Sequence, residues 1–468
     1  VALNVVDYFS GSSPAQALSG ASCTDITAAG GFGMRLVGVP LHVFFFSVFW
    51  AGQALATDQH RFIEIVERMV AGSPEFQAAM SSAEADIVRA RPGLYAHTPS
   101  VDASVSQGLQ GTVDQKSDFW GRPALSLSVS MPVFNFGGDS TRVAGARLSQ
   151  QGSEISTRIV RSKIENSMAT LVINAIKLKK VAMVEENLFK SREALLNKAE
   201  GLYKRGLLPE EELEKNRVDT GIAKLQLAEI QLSTTNEYKT VEAAFGGSPG
   251  PLDWPWDLSF FSKFEKWNGR AWIGKNLDRA LEEQFWERKK AENALALARA
   301  QTLPSFSFSS GLSKSLARHG ETPLPATWSM QVSASLPIYS RFENSSRLEA
   351  ALLQLGSANF RFEERKRNFL DLVLRTESSF RNKLTAARER TAFLGVAKKN
   401  LDRSRERFVA GRISSNELAT DESRVLQMEQ IRINLIADLH RDLLELCRVL
   451  TLSINECVSQ IESDLQQK

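Results

Sequence analysis

The chain has 468 residues, 43% apolar and 24% charged, and its 57 Lys and Arg against 54 Asp and Glu leave a formal charge of +3. Bases interleaved with acids at so small a net charge exclude a nucleic-acid-binding surface. Five histidines without a ligand-spaced pair, and the lack of a Gly-rich phosphate loop, nucleophile elbow or HExxH, predict no metal, no cofactor and no catalytic residue.

Residues 34–56, MRLVGVPLHVFFFSVFWAGQALA, have a short positive start, an apolar core and an A-x-A cleavage site at Ala54-Leu55-Ala56. The core is shorter than a comfortable bilayer span and contains Pro40 and His42. Met34 is therefore read as the initiator, 1–33 as upstream translation, 34–56 as a signal peptide and Thr57 as the mature start. A retained N-terminal anchor is the alternative. No Cys follows Ala56, so no lipoprotein anchor is expected.

A helical stretch leads into two strands, 98–110 and 122–134. In SLSVSMPVF (126–134), Ser126, Ser128 and Ser130 alternate with Leu127, Val129 and Met131, and the wet side carries no charge. A long helix follows from about 141 to 203, roughly 95 Å at ~1.5 Å per residue. Ile164, Met168, Leu171, Ala175, Leu178 and Ala182 give it coiled-coil spacing. After the turn at Gly206, the chain returns in a helix over about 210–244. Glu210, Glu211 and Glu212 at its start suit the helix dipole rather than a catalytic dyad. The stretch 246–267, with Trp254, Trp256, Phe260, Phe261, Phe264 and Trp267, is too aromatic for a solvated tether. It reads as a packed belt, after which a helix at 273–300 stacks end to end on 210–244.

The pattern then starts again 205 residues on. SMPVF at 130–134 returns as SLPIY at 335–339, Pro99-Ser100-Val101 as Pro304-Ser305-Phe306, and Gly206 as Gly411. The heptad line Met168, Ala175, Ala182, Phe189, Leu196, Tyr203 returns as Val373, Phe380, Ala387, Leu394, Leu401, Phe408. A fixed offset over more than a hundred residues marks a duplicated unit. The second copy has strands at 304–313 and 326–339, a helix from about 345 to 408, and a returning helix. Cys447 and Cys457 are ten residues apart on that one predicted helix, roughly 15 Å along its axis, which is too far for a disulfide.

Strands of about 9–13 residues with aromatic ends suit a membrane β-barrel. Phe119, Trp120, Phe134 and Phe136 flank the first copy, and Trp328 and Tyr339 the second. Four strands cannot close alone, and open edges in lipid cost several kcal/mol for each unpaired group. Two, three or four chains would give 8, 12 or 16 strands, and a conduit favours 12 or more.

TPSVDASVSQG, SMPVFNFGG followed by a long helix, and YKRGLLPEEELEKNR, with the duplicates LPSFSFSSG, SLPIYSRFENSS and RFVAGRISSNELATDESR, resemble the TolC family of outer-membrane efflux and secretion channels. The resemblance spans about 60–465. It implies a mostly α fold with membrane β: two tandem repeats (57–245 and 273–468) joined by an aromatic belt (246–272). Three chains would form a 12-strand barrel in the Gram-negative outer membrane and a 12-helix barrel in the periplasm. It also implies an exit duct of a tripartite efflux pump or type I secretion system, with a periplasmic adaptor and an inner-membrane transporter as partners. The adaptor would dock at the tips Gly206, Leu207, Leu208, Pro209 and Gly411, Arg412, Ile413, Ser414, with Leu207, Leu208 and Ile413 as exposed apolar contacts. An acidic pore constriction would fall at Glu417, with Asp421 beside the next family position. A periplasmic coiled-coil adaptor or structural protein is the alternative.

Overall fold

A computed structural model describes residues 58–107, 123–316, 325–338 and 342–466; the expected leader, the upstream stretch, Phe119, Trp120 and Tyr339 lie outside these. The described residues begin with α1 (Asp58–Gly72) and α2 (Pro74–Leu94), then β1 (Ser100–Ser106) and β2 (Ala124–Phe134). α3 (Gly138–Lys204) and α4 (Glu210–Phe245) form the first long hairpin. Short α5 (Leu258–Ser262), a 3-10 turn at Lys263–Lys266, α6 (Gly269–Ala280) and α7 (Glu282–Ala300) lead to β3 (Ser305–Ser315) and β4 (Thr327–Ser335). α8 (Glu343–Val409), α9 (Ser415–Val449) and α10 (Ile454–Gln466) complete it. α3 and α8 are both 67 residues long, about 100 Å, and both their starts and their ends lie 205 positions apart. Among the described residues, no helix is long and apolar enough to cross a membrane.

The strands form one antiparallel sheet in the order β1-β2-β3-β4. Its register sorts the two faces. Ser100, Ser130 and Ser309 lie side by side, as do Ser104, Ser126 and Ser313. Their hydroxyls pair across the strands, Ser100–Ser130 at 2.7 Å, Ser104–Ser126 at 2.8 Å and Ser307–Ser333 at 2.8 Å. On the other face Val105, Leu125, Leu127, Leu312, Trp328, Met330 and Val332 are all exposed. An irregularity between Pro132 and Phe134 brings Phe134 opposite Phe306, and Phe136 packs edge-on to it at 4.8 Å. Proline has no N–H for the ladder, which explains why the pairing shifts there.

Toward the sheet, α2, α3, α7 and α8 pack side by side in that order; toward the hairpin turns the row is α4, α3, α9, α8. α7 and α9 thus occupy the same place between the two continuous helices. The expected stacking of 210–244 on 273–300 is corrected accordingly: α7 shares its neighbours with α9, not with α4. This placement also explains the heptads. At the end of both rows, α8 buries one clean stripe: Val373, Phe380, Ala387, Leu394, Leu401 and Phe408. α3 has neighbours on both sides and buries Ile164, Ala169, Val172, Ile173, Ala175 and Ile176, while Met168 is only half-buried and Tyr203 is exposed.

The main core gathers Trp256, Phe260, Phe261, Phe264, Trp267 and Trp272 against α1, the middles of α3 and α8, and the end of α9. His440 is fully buried there, stacked on Trp254 at 4.9 Å and edge-on to Phe261 at 4.8 Å. The cysteines require a second correction: Cys447 and Cys457 form a disulfide, with Cα atoms 5.4 Å apart. The helix does not run through. α9 ends at Val449, Thr451 takes φ of 53°, and α10 restarts at Ile454, so the chain doubles back instead of rising 15 Å. Ser453 and Glu456 cap the new helix reciprocally, and the buried Glu165 of α3 accepts from the Ile454 amide at 2.8 Å.

Candidate functional site

The two hairpin turns are built alike. α3 and α8 each end on a glycine with positive φ, Gly206 at 71° and Gly411 at 68°. The amide after each glycine bonds back five residues, Leu207 to the Leu202 carbonyl at 3.0 Å and Arg412 to Arg407 at 2.9 Å. This closure satisfies carbonyls at the helix end and places a residue in the left-handed region, where glycine has no Cβ to clash. Pro209 precedes α4 in an extended conformation, and Ser414 caps α9 by accepting from the Glu417 amide at 3.3 Å.

The turns differ in surface. Leu207 is 68% exposed, whereas Leu208 is half-buried, so the expected row of three exposed apolar residues is corrected to one. Ile413 is half-buried too, packed on a second core formed by Leu195, Leu394, Leu401, Phe408, Leu418 and Val425. Gly206, Gly411 and Arg412 are exposed.

Glu417 is exposed one turn before Asp421 on α9. Asp421 is instead tied down, accepting from the Ser404 hydroxyl of α8 at 2.7 Å. Sequence reasoning missed the neighbouring Glu422. Its buried carboxylate meets Arg192 of α3 at 2.6 Å and Arg405 of α8 at 3.4 Å, and accepts from Ser191 at 3.0 Å. Arg192 also reaches Asp219 of α4 at 3.1 Å, so one cluster links all four long helices. Burial removes solvent screening from such a cluster, and leaving one of its charges unpaired is expensive. Farther from the turn, burial pushes the carboxyl of Glu185 upward, and Gln430 of α9 donates to it at 2.6 Å. No motif could have revealed these residues, because only the helix register brings them level. Among the described residues, no group of His, Cys, Asp and Glu could hold a metal.

The chain thus joins two long helical hairpins to one small sheet with a serine face and an apolar face. Residues 275–451 match the outer membrane efflux protein family, and the resemblance read from the sequence is borne out. Among solved structures, the chain superposes on the outer membrane protein VceC of Vibrio cholerae with a TM-score of 0.70 at 16% identity, covering 84% of this chain and 96% of that one. The CmeC outer membrane channel of Campylobacter jejuni gives 0.67 at 13% identity, with 90% and 94% covered. The open state of the MtrE outer membrane channel of Neisseria gonorrhoeae gives 0.62 at 15%, with 86% and 94% covered. No curated protein matches by sequence. The family is one of efflux proteins, not of enzymes.

Proposed function

We propose that three copies of this chain close head to tail into a conduit through the outer membrane, the exit duct of a tripartite efflux or secretion assembly. The observation that carries the reading is the free edge at both ends of every layer. β1 and β4 bound the sheet and, in an all-antiparallel order, run in opposite directions, so β4 of one copy can continue onto β1 of the next with the same pairing. In lipid that pairing is obligatory. Eleven-residue strands at ~45° tilt span about 25 Å, the height of an apolar band. The exposed apolar face then meets lipid and the serine face lines water. A periplasmic coiled-coil protein would leave that apolar face without a role.

The helical rows close in the same sense, α8 of one copy against α2 and α4 of its neighbour. Exposed apolar residues support this: Leu225 and Leu232 on α4, two residues from the α3-facing Ala223, Leu227 and half-buried Thr234, and Phe393 and Val396 on α8. Heights agree too. Thr220 bonds Arg192, Ser191 bonds Glu422, and Ser404 bonds Asp421, which sets Thr220 of α4 level with Ser404 of α8. Leu232 lies twelve residues above the first and Phe393 eleven above the second.

In this reading 57–245 and 273–468 are the two repeats and 246–272 is the connection between them. A periplasmic adaptor, bridging to an inner-membrane transporter, docks on the tips Gly206–Pro209 and Gly411–Ser414, with Leu207 as the apolar contact. Glu417, repeated three times around the axis, is the acidic constriction, and Asp421 plays a lesser part because Ser404 holds it. The test combines two variants. Leu207→Asp places a charge in an apolar contact and should abolish export with oligomer yield unchanged. Glu417→Ala should weaken cation preference in planar bilayers. Normal export in the first and unchanged selectivity in the second would overturn these assignments.

A further inference from the structure

Where α7 hands its place to α9 between the continuous helices, the structure leaves a cavity of about 80 Å³. Cations converge on it from four helices: Lys163 of α3, Arg279 from the last turn of α6, Arg365 of α8 and Arg448 near the end of α9. Glu282 and Glu283 of α7 face them. Two of these charges are already matched. Arg448 is held by Glu445 at 2.5 Å, and Glu282 by Arg158 at 2.6 Å. That leaves Lys163, Arg279 and Arg365, none with an ion pair among the described residues, against Glu283 alone. The Nε of Arg365 is shut away from solvent with no acceptor. A buried guanidinium N–H left unpaired costs free energy that a bound anion recovers.

We propose that this cavity binds a small tetrahedral dianion of the hydrogen phosphate or sulfate class. Charge and size agree on that class. Three free cations against one carboxylate leave an excess of two, which a dianion neutralises. Water occupies about 30 Å³ per molecule in the liquid, so the cavity has room for a free oxyanion and not for a nucleotide or sugar phosphate. Arg279 and Arg365 supply planar forks suited to oxyanion edges, with Lys163 as a point charge. A lipid headgroup is the other source of this chemistry, but Ile159 in the cavity wall lies twenty-one residues from Gly138, about 30 Å below the sheet end of α3. Bound there, the dianion ties α3, α6 and α8 together at the handover.

The inference does not depend on the export reading, and its test needs no transport. The full chain, purified in detergent free of phosphate, is titrated calorimetrically with inorganic phosphate against chloride of matched ionic strength. Saturable binding of one phosphate per chain is expected, weakened about tenfold or more by Arg365→Gln and by Arg279→Gln. Arg279 is exposed, so its variant keeps the test decisive should Arg365→Gln fail to fold. Absence of saturable binding up to about 20 mM, or affinities unchanged in the variants that fold, overturns the proposal. Competitive displacement of phosphate by phosphatidic acid, a lipid phosphomonoester, in mixed detergent micelles would assign the site to a headgroup and overturn the free-ion reading.

Discussion

Acid should loosen the aromatic belt through His440. The imidazole is fully buried, and its Nδ1 lies 2.7 Å from the Ile436 carbonyl, the geometry of a neutral ring donating to a helix oxygen. Burial drives its pKa from 6.5 to about 4, while contacts to the Ile436 and Trp256 backbones oppose the shift. The folded value is depressed, so between pH 6.5 and about 4 the unfolded chain binds a proton that the folded chain refuses. Stability is therefore present above pH 6.5 and is lost as pH falls toward 4. At ~1.4 kcal/mol per pH unit, the gap costs about 3 kcal/mol per chain. Glu165, Glu185 and Asp442, all raised by burial, titrate in the opposite sense, so the wild-type curve alone does not isolate the histidine. His440→Leu does. Unfolding followed by tryptophan fluorescence in detergent should show the variant gaining about 3 kcal/mol on wild type between pH 7 and pH 4. Curves that stay parallel over that range would refute the buried neutral histidine.

Gly152 admits the ring of Trp286, whose Nε1 donates to the Leu148 carbonyl at 2.7 Å; a Cβ on Gly152 would fall 1.8 Å from that ring. Gly152→Ala should cost about 1–3 kcal/mol by thermal or denaturant unfolding, and much less in a Trp286→Leu background. Equal costs in both backgrounds would mean that the contact is not made. The Cys447–Cys457 disulfide closes a short loop, so Cys447→Ser should cost about 3 kcal/mol. Non-reducing peptide mapping should recover the two cysteines linked, and recovery as free thiols would contradict the fold of the C-terminal turn.

The legible parts of the fold were those governed by local periodicity. Serine alternation in 126–130 marks β2 and the composition of its wet face, and Gly206 and Gly411 mark the ends of α3 and α8, because a left-handed residue is needed there. The break at 450–453 also had a local signal, Ser453 followed three residues later by Glu456, which is a capping box. Reading through it as one helix produced the mistaken 15 Å separation of the cysteines. Other features were not legible, because they depend on which helices sit level. Arg192, Asp219, Arg405 and Glu422 come from four helices, and nothing in their spacing along the chain says they meet. Likewise the expected helices 210–244 and 273–300 have lengths that suit end-to-end stacking, and only tertiary packing shows α7 (Glu282–Ala300) above α9.

Head-to-tail closure is tested most directly by a disulfide trap between neighbouring copies. Leu232→Cys and Phe393→Cys in one chain place thiols on the outer sides of α4 and α8 at one height, and Cys447 and Cys457 are already paired and buried. Oxidation in intact membranes should give covalent dimers and then trimers with nothing larger, and neither single variant should form the trimer. Monomers that stay uncrosslinked, or a ladder running past three chains, would contradict a closed ring of three.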